Sequence, residues 1–254
     1  MSNNPILETK NLTIKVKESQ RYLLRDVSFN LYESEKLSVF GGSGSGKSLL
    51  CKTLLGLKAA NLSYSGELNF SHGEKTYDLT DERTLQKIRG RSIALVFQDI
   101  FNSLNPMLTV WTQFKLFSTK NNIPDLLKKV GFTDPQKIIK RYPSQLSGGE
   151  LTRLGLAMAI AQQPKIIILD EAFRSIHAEL QELFIEQLNS LVSDKKMSLL
   201  LVTHNVAILK KFADRIIILK DGKIIDETTI DQFFKSSKTD YGKRVLKVYK
   251  HLYL

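Results

Sequence analysis

An α/β fold with a parallel sheet, an antiparallel β-lobe and an inserted helical subdomain is the architecture this sequence predicts, and three observations carry it. The run Gly41-Gly42-Ser43-Gly44-Ser45-Gly46-Lys47-Ser48 turns a β-rich segment, Leu37 to Phe40, into a helical one, Ser48 to Leu55. Ile166 to Leu169 and Leu199 to Val202 are apolar at every position, as parallel strands buried on both faces must be. Residues 5–36 and 62–79 alternate instead, as in Leu12-Thr13-Ile14-Lys15-Val16 and Val27-Ser28-Phe29-Asn30-Leu31, which suits an antiparallel sheet with one wet face.

In chain order, the β-lobe and first half of the core occupy residues 1–99. A helical subdomain follows over 100–163, interrupted at Pro106, Pro124, Pro135 and Pro143. Residues 164–231 return to the core, where strands Ile166 to Leu169, Leu199 to Val202 and Ile216 to Leu219 alternate with helices Leu180 to Val192 and Val206 to Phe212. Lys220-Asp221-Gly222-Lys223 carries an Asp-Gly hairpin signature that closes the core, and 232–254 reads as a Lys-rich helical tail.

A chain of 254 residues can bury one sizeable core. No apolar run approaches the roughly 18 residues that would span a bilayer. Met1-Ser2-Asn3-Asn4-Pro5 lacks the basic and apolar pattern of a secretory leader, so a cytosolic chain is expected. The single cysteine, Cys51, cannot form an internal disulfide and is expected in the first buried turn after the glycine-rich run. The net charge of +11 comes from scattered lysines such as Lys128-Lys129, Lys195-Lys196 and Lys210-Lys211. That is the pattern of solvated helix faces rather than of one binding stripe, so no nucleic-acid partner is expected.

The glycine-rich run has the chemistry of a phosphate cradle. Glycines at 41, 44 and 46 let successive backbone N–H groups face one anion, and the helix start behind them adds roughly half a positive charge. Lys47 would reach the β- and γ-phosphates and the Ser48 hydroxyl would ligate Mg²⁺. A flexible linker has no use for a lysine and a hydroxyl opening an apolar helix. Asp170 and Glu171 end an apolar strand, the first to hold the Mg²⁺ shell and the second to polarise an attacking water. His204 ends the next strand, at the same expected sheet edge. Ser147-Gly148-Gly149 opens a helical run, Leu151 to Gln162, and so makes a second anion-facing helix start.

Taken with Leu146-Ser147-Gly148-Gly149-Glu150 and the loop glutamine of Ile93-Ala94-Leu95-Val96-Phe97-Gln98, these motifs follow the order and approximate spacing of ABC transporter ATP-binding subunits, which the chain resembles over nearly its whole length. Asp99-Ile100-Phe101-Asn102-Ser103-Leu104-Asn105-Pro106 is similar to a stretch typical of the oligopeptide, dipeptide and nickel importer branch. The run from Gly41 to Leu49 is most similar to that branch's nickel-type members, and Asp240-Tyr241-Gly242-Lys243-Arg244-Val245-Leu246 echoes the branch's ending. The resemblance implies an ABC-type P-loop ATPase binding ATP and Mg²⁺ through Gly41, Gly42, Ser43, Gly44, Ser45, Gly46, Lys47, Ser48 and Leu49. In it Glu171, His204 and Gln98 are catalytic, while Ser48, Gln98 and Asp170 serve the metal. It further implies that Ser147, Gly148 and Gly149 close the nucleotide site of a second ABC ATPase subunit, here expected to differ from this chain. The remaining implied partners are two transmembrane permease subunits, met by the Asn102 to Trp111 segment, and, indirectly, an extracytoplasmic solute-binding protein. Trp111 is equally well read as ordinary helical core. The implied location is the cytoplasmic face of the membrane, and the implied cargo is peptides or nickel and metal-chelate complexes.

Several positions depart from the family pattern. Ala172 replaces a common proline, Phe173-Arg174 a Ser/Thr pair, His177 the usual aspartate of the next loop, and Glu150 the last glutamine of the signature, which would put a carboxylate near the partner's nucleotide. Val16 falls where an aromatic usually stacks on adenine, leaving Tyr22 as the substitute. These departures keep open an ATP-binding regulatory partner of a second ATPase; a soluble, non-transport ABC ATPase is the other alternative.

Overall fold

Alternation over the first strands leaves Leu7, Leu12 and Ile14 of β1 (Leu7–Val16) and Leu24, Val27, Phe29 and Leu31 of β2 (Tyr22–Leu31) buried. The computed structural model describes residues 4–117, 122–195 and 197–253, so Met1 to Asn3 of the amino-terminal reading and Lys196 of one lysine pair lie outside the described residues. β1 and β2 pair antiparallel with Leu7 opposite Leu31 and Ile14 opposite Leu24. Their register shifts fall beside Asn11 and Asp26, whose φ of 52° is a left-handed backbone that these short polar side chains tolerate. β3 (Lys36–Phe40) ends at the glycine-rich loop, and α1 (Lys47–Leu54) follows, burying Leu50, Cys51 and Leu54. β4 (Leu62–His72) and β5 (Lys75–Asp78) complete an antiparallel sheet in the order β2-β1-β4-β5, which is the expected lobe. α2 (Glu82–Ile88) is an element the sequence reading does not contain. Its signal was Asp81, whose carboxylate accepts from the N–H groups of Arg83 and Thr84 ahead of the buried pair Leu85 and Ile88.

By contact the chain divides into residues 1–89 with 198–254, and residues 90–197. In the second unit β6 (Ile93–Val96) is followed by α3 (Val110–Phe117), α4 (Ile123–Lys129), α5 (Pro135–Ile138), α6 (Gly148–Ala161), β7 (Ile166–Asp170) and α7 (Ala178–Lys195). Pro124 and Pro135 interrupt the region by standing in the first turns of α4 and α5, where a missing N–H costs nothing. β6 and β7 pair parallel, Ile93 opposite Ile166.

Back in the first unit, β8 (Ser198–Thr203), α8 (Val206–Phe212), β9 (Arg215–Lys220) and β10 (Lys223–Thr229) precede α9 (Ile230–Lys235) and α10 (Asp240–Tyr253). β3 is flanked by β8 and β9, both parallel to it, with Phe40 opposite Thr203 and Ile218. β10 returns antiparallel through Asp221 (φ 48°) and Gly222 (φ 75°), the positive pair that the Asp-Gly hairpin needs. Phe40, Leu209, Ile216, Ile218, Phe233 and Leu246 form one buried cluster, so the tail helices are part of this core. Phe233 is fully buried and meets Phe234 edge-on at 5.4 Å. Phe233→Ala should cost about 3–5 kcal/mol, measured as a lowered urea midpoint, and a loss under about 1 kcal/mol would mean that α9 is not structural.

Candidate functional site

Close packing from two directions builds the loop between β3 and α1. A Cβ on Gly41 would lie 2.2 Å from the Leu219 carbonyl oxygen, and one on Gly46, at φ 104°, would lie 2.5 Å from Leu24 Cδ2. Only glycine fits either place. The Ser45 N–H donates to the Gly42 carbonyl (3.3 Å) and the Gly222 N–H donates to the Ser45 carbonyl (3.3 Å), tying the loop to the β9–β10 hairpin. No side chain caps α1, whose first N–H groups by geometry have no partner within the helix. Lys47 is buried, its ammonium donating to the carbonyls of Gly41 and Gly42, each at 2.8 Å. Ser45 Oγ is buried and has no hydrogen-bond partner among the described residues. A concave run of glycines with a buried ammonium and an unsatisfied hydroxyl fits a polyphosphate.

His204 is exposed, directly after β8, and Asn205 then caps α8 by accepting from the Ala207 N–H at 2.9 Å. Gln98 is likewise exposed, two residues beyond β6, before Asp99 accepts from the Asn102 amide at 2.6 Å. Tyr22, at 46% exposed, carries the Lys15 ammonium 4.5 Å and the Arg25 guanidinium 5.0 Å from its ring centre, while Val16 is half-buried. Trp111, at 38% exposed, is not core.

In the second unit, β7 delivers Asp170 buried at its last position. Glu171 follows in a left-handed backbone, φ 50°, which costs a non-glycine residue about 1–2 kcal/mol. Such strain persists where the surrounding structure dictates it: the Arg174 N–H closes the turn onto the Glu171 carbonyl at 3.0 Å, and the Arg174 guanidinium reaches the Glu171 carboxylate at 3.8 Å. The same turn meets the start of α6. A Cβ on Gly149 would stand 3.1 Å from the Ser175 carbonyl oxygen and one on Gly148 3.4 Å from Ser175 Cβ, so the small residues of Ser147-Gly148-Gly149 seat the helix start on the segment after Glu171.

Glu150 is engaged at its own helix start. Its carboxylate accepts from the Ser147 N–H at 2.8 Å while Ser147 Oγ accepts from the Glu150 N–H at 3.2 Å, a reciprocal capping box, and Arg141 stands 3.5 Å from it. The charge is turned back onto its own helix start and paired, because the three-residue spacing from Ser147 makes the cap the nearest partner.

The cradle residues Gly41 to Leu49 and His204 thus belong to the first unit, and Gln98, Ser147 to Gly149, Asp170 and Glu171 to the second. A hydroxyl such as that of Ser48, an amide oxygen such as that of Gln98 and a carboxylate such as that of Asp170 are each of the hard oxygen type that Mg²⁺ takes.

Residues 24–174 match the family model described as ABC transporter. The chain is 31% identical over 259 residues to the metal-staphylopine import system ATP-binding protein CntD of Staphylococcus aureus (strain NCTC 8325 / PS 47), covering 97% of this chain and 94% of that protein. It is 32% identical to a putative peptide import ATP-binding protein of Brucella abortus (strain 2308), covering 95% and 76%. The peptidoglycan transport ATP-binding protein YejF of Agrobacterium fabrum is also 32% identical, over 96% of this chain, which spans about half of that relative's length (47%). Among solved structures, the dimer of the cassette MJ0796 aligns with a TM-score of 0.77 at 27% identity over 88% of this chain and 98% of that one. The same cassette with bound ADP and Pi, a post-hydrolysis dimer, aligns at 0.75 and 28% over the same shares.

Lys47→Ala should remove most affinity for a fluorescent ATP analogue with little change in melting temperature, since the backbone cradle remains. Retained affinity within about threefold, roughly 0.6 kcal/mol, would show that Lys47 does not carry binding. Glu150→Gln should leave stability unchanged, because an amide also caps, whereas Glu150→Ala should cost about 1 kcal/mol in urea denaturation.

Proposed function

The chain belongs to the ABC transporter family, and from that membership we propose that it binds and hydrolyses ATP to power import of peptides or metal-chelate complexes. The observation that carries the reading is the glycine cradle with Lys47 buried inside it. Cargo is inferred from CntD, which is named for metal-staphylopine import, and from the Brucella protein, which is named for peptide import. Nickel complexes fall within the same chelate class.

In the proposed reaction the cradle N–H groups and Lys47 hold the β- and γ-phosphates. Ser48, Gln98 and Asp170 would hold Mg²⁺, which when bound supplies positive charge to the phosphate oxygens. Glu171 accepts a hydrogen bond from the attacking water. The water oxygen forms its bond to the γ-phosphorus as the bond to the β–γ bridging oxygen breaks, giving ADP and inorganic phosphate, and the water proton passes through Glu171. His204 and Gln98 hydrogen-bond the terminal phosphate and so report its loss. We assign Ser147, Gly148 and Gly149 to the nucleotide of a second cassette, a role supported by the dimeric state of MJ0796. His177 in place of an aspartate favours a partner of different sequence. The complete assembly in this reading adds two permease subunits, approached by the Asn102 to Trp111 segment, and a solute-binding protein. The chain then acts peripherally at the cytoplasmic face; among the described residues no helix is long and apolar enough to cross a membrane.

Arg174 raises a second reading, a subunit that binds ATP without turning it over, because the guanidinium stands against the Glu171 carboxylate. Its side chain is 63% exposed and the separation is 3.8 Å. The Glu171 side chain is only 14% exposed, but the guanidinium end of the pair stands in solvent at long range, too loosely held to withdraw Glu171 from service, so hydrolysis is the better-supported function. Glu171→Gln should keep ATP binding and stop turnover, since the amide retains the shape and loses the base. Size-exclusion chromatography of this variant together with its partner cassette and MgATP should then show a persistent dimer. Phosphate release at the wild-type rate would mean that another group activates the water.

A further inference from the structure

We propose that the cavity between α10 and the end of β8 binds a small amphipathic anion, an apolar body carrying one carboxylate, and that its occupation slows ATP turnover through His204. The link to turnover rests on the ATPase reading above, whereas the cavity itself does not.

The cavity lies wholly within the first unit and has a volume of about 460 Å³, the size of a small-molecule pocket. Three elements line it. Phe40 comes from the end of β3, His204 and Val206 from the turn between β8 and α8, and Arg244, Val245 and Val248 from α10. Positions 244 and 248 share one helix face because they stand four apart. Leu246 joins the buried cluster with Phe40 and Phe233, which anchors the helix. The cavity face stays accessible: Val248 is 59% exposed.

Charge decides the class of ligand. Among the described residues no acidic side chain lines the cavity. Arg244 has no ion-pair partner among them, whereas its neighbour Lys243 reaches Asp240 at 3.8 Å. A second cation stands close by, since the Lys210 ammonium of α8 lies 5.9 Å from the ring centre of Tyr249, which also lines the cavity. The Asn205 side chain is engaged in capping α8, where it accepts from the Ala207 N–H. An unpaired guanidinium beside apolar side chains suits a carboxylate on a hydrocarbon or aromatic body: the head gains a charge-assisted hydrogen bond and the body leaves water. An amphipathic cation would meet Arg244 and Lys210 with like charge.

His204 joins the cavity to turnover. It lines the cavity and is the side chain assigned to the terminal phosphate, so a bound anion and the γ-phosphate compete for one imidazole. Such coupling is reciprocal: the anion should slow hydrolysis, and MgATP should weaken the anion.

The test titrates octanoate and N-acetylphenylalanine by calorimetry without nucleotide, with octylammonium as the opposite charge, into the wild type, Arg244→Gln and Val248→Asp. Both changes fall at exposed positions of α10, so melting temperatures should stay at the wild-type value. At least one of the two acids should bind saturably, the tighter one telling an acyl chain from an aromatic body, and octylammonium should not bind. Each variant should weaken that binding at least about fivefold. The bound acid should also lower phosphate release by the wild type with its partner cassette, and lower it much less in either variant. No saturable binding of either acid, equal binding of octylammonium, or both variants within about twofold of wild-type affinity would overturn the site. Binding that leaves phosphate release by an active wild type unchanged would overturn the link to His204. An inactive wild type would overturn the hydrolysis reading and that link together, and the calorimetry would still decide the site.

Discussion

Everything assigned to the cradle depends on one steric constraint: backbone N–H groups can converge on an anion only where no side chain intervenes. Here glycine is enforced by neighbours as well as by ligand chemistry. The Leu219 carbonyl presses on Gly41 and the Leu24 methyl on Gly46, so β9 and β2 shape the loop before any phosphate arrives. An apolar strand interior and an antiparallel lobe are therefore part of the binding machinery, and the loop's conformation is prepaid by the core. The buried Lys47 completes this arrangement. Its charge is held by two loop carbonyls, so a phosphate oxygen exchanges with partners that already solvate the ammonium.

A similar economy operates after β7. Glu171 carries left-handed backbone strain while Ser175, four positions on, is the surface against which Gly148 and Gly149 seat α6. One tight turn therefore aims a carboxylate and supports a helix start. A larger residue at 148 or 149 would push against the backbone that holds Glu171, so its effect would reach the carboxylate without touching a ligand.

What could be read in advance follows from the range of each signal. Full apolarity at Ile166 to Leu169 and alternation in β1 and β2 are local consequences of burial on two faces or one, so strand type and pairing class were legible. So was the Asp221-Gly222 turn, whose φ values only such residues adopt readily. Helix α2 escaped because a single Asp81 cap before two buried apolar residues is a short signal. The turn of Glu150 onto Ser147 was legible too, since a serine followed three positions on by a glutamate ahead of an apolar run is the signature of a capping box. The approach of Arg174 to Glu171 could not be read, because it depends on the rotamer of a long side chain standing in solvent.

The fate of Glu150 shows how a departure from a family pattern should be weighed. As a free carboxylate beside a bound nucleotide it would repel phosphate. As the second half of a capping box with Arg141 alongside, it satisfies an N–H of the helix start and carries its charge toward a cation. Ser147 Oγ, its counterpart, accepts from the Glu150 N–H, which leaves the hydroxyl's own proton to donate elsewhere. The exchange of an amide for a carboxylate is then a change in charge more than in shape. In the proposed two-cassette arrangement, its cost to a nucleotide at this helix start would be set by how firmly Arg141 screens it. Arg141 is itself 41% exposed, so that screening is partial and weakens as salt rises. The geometry of the helix start is preserved in either case, because the cap needs only an oxygen at that position.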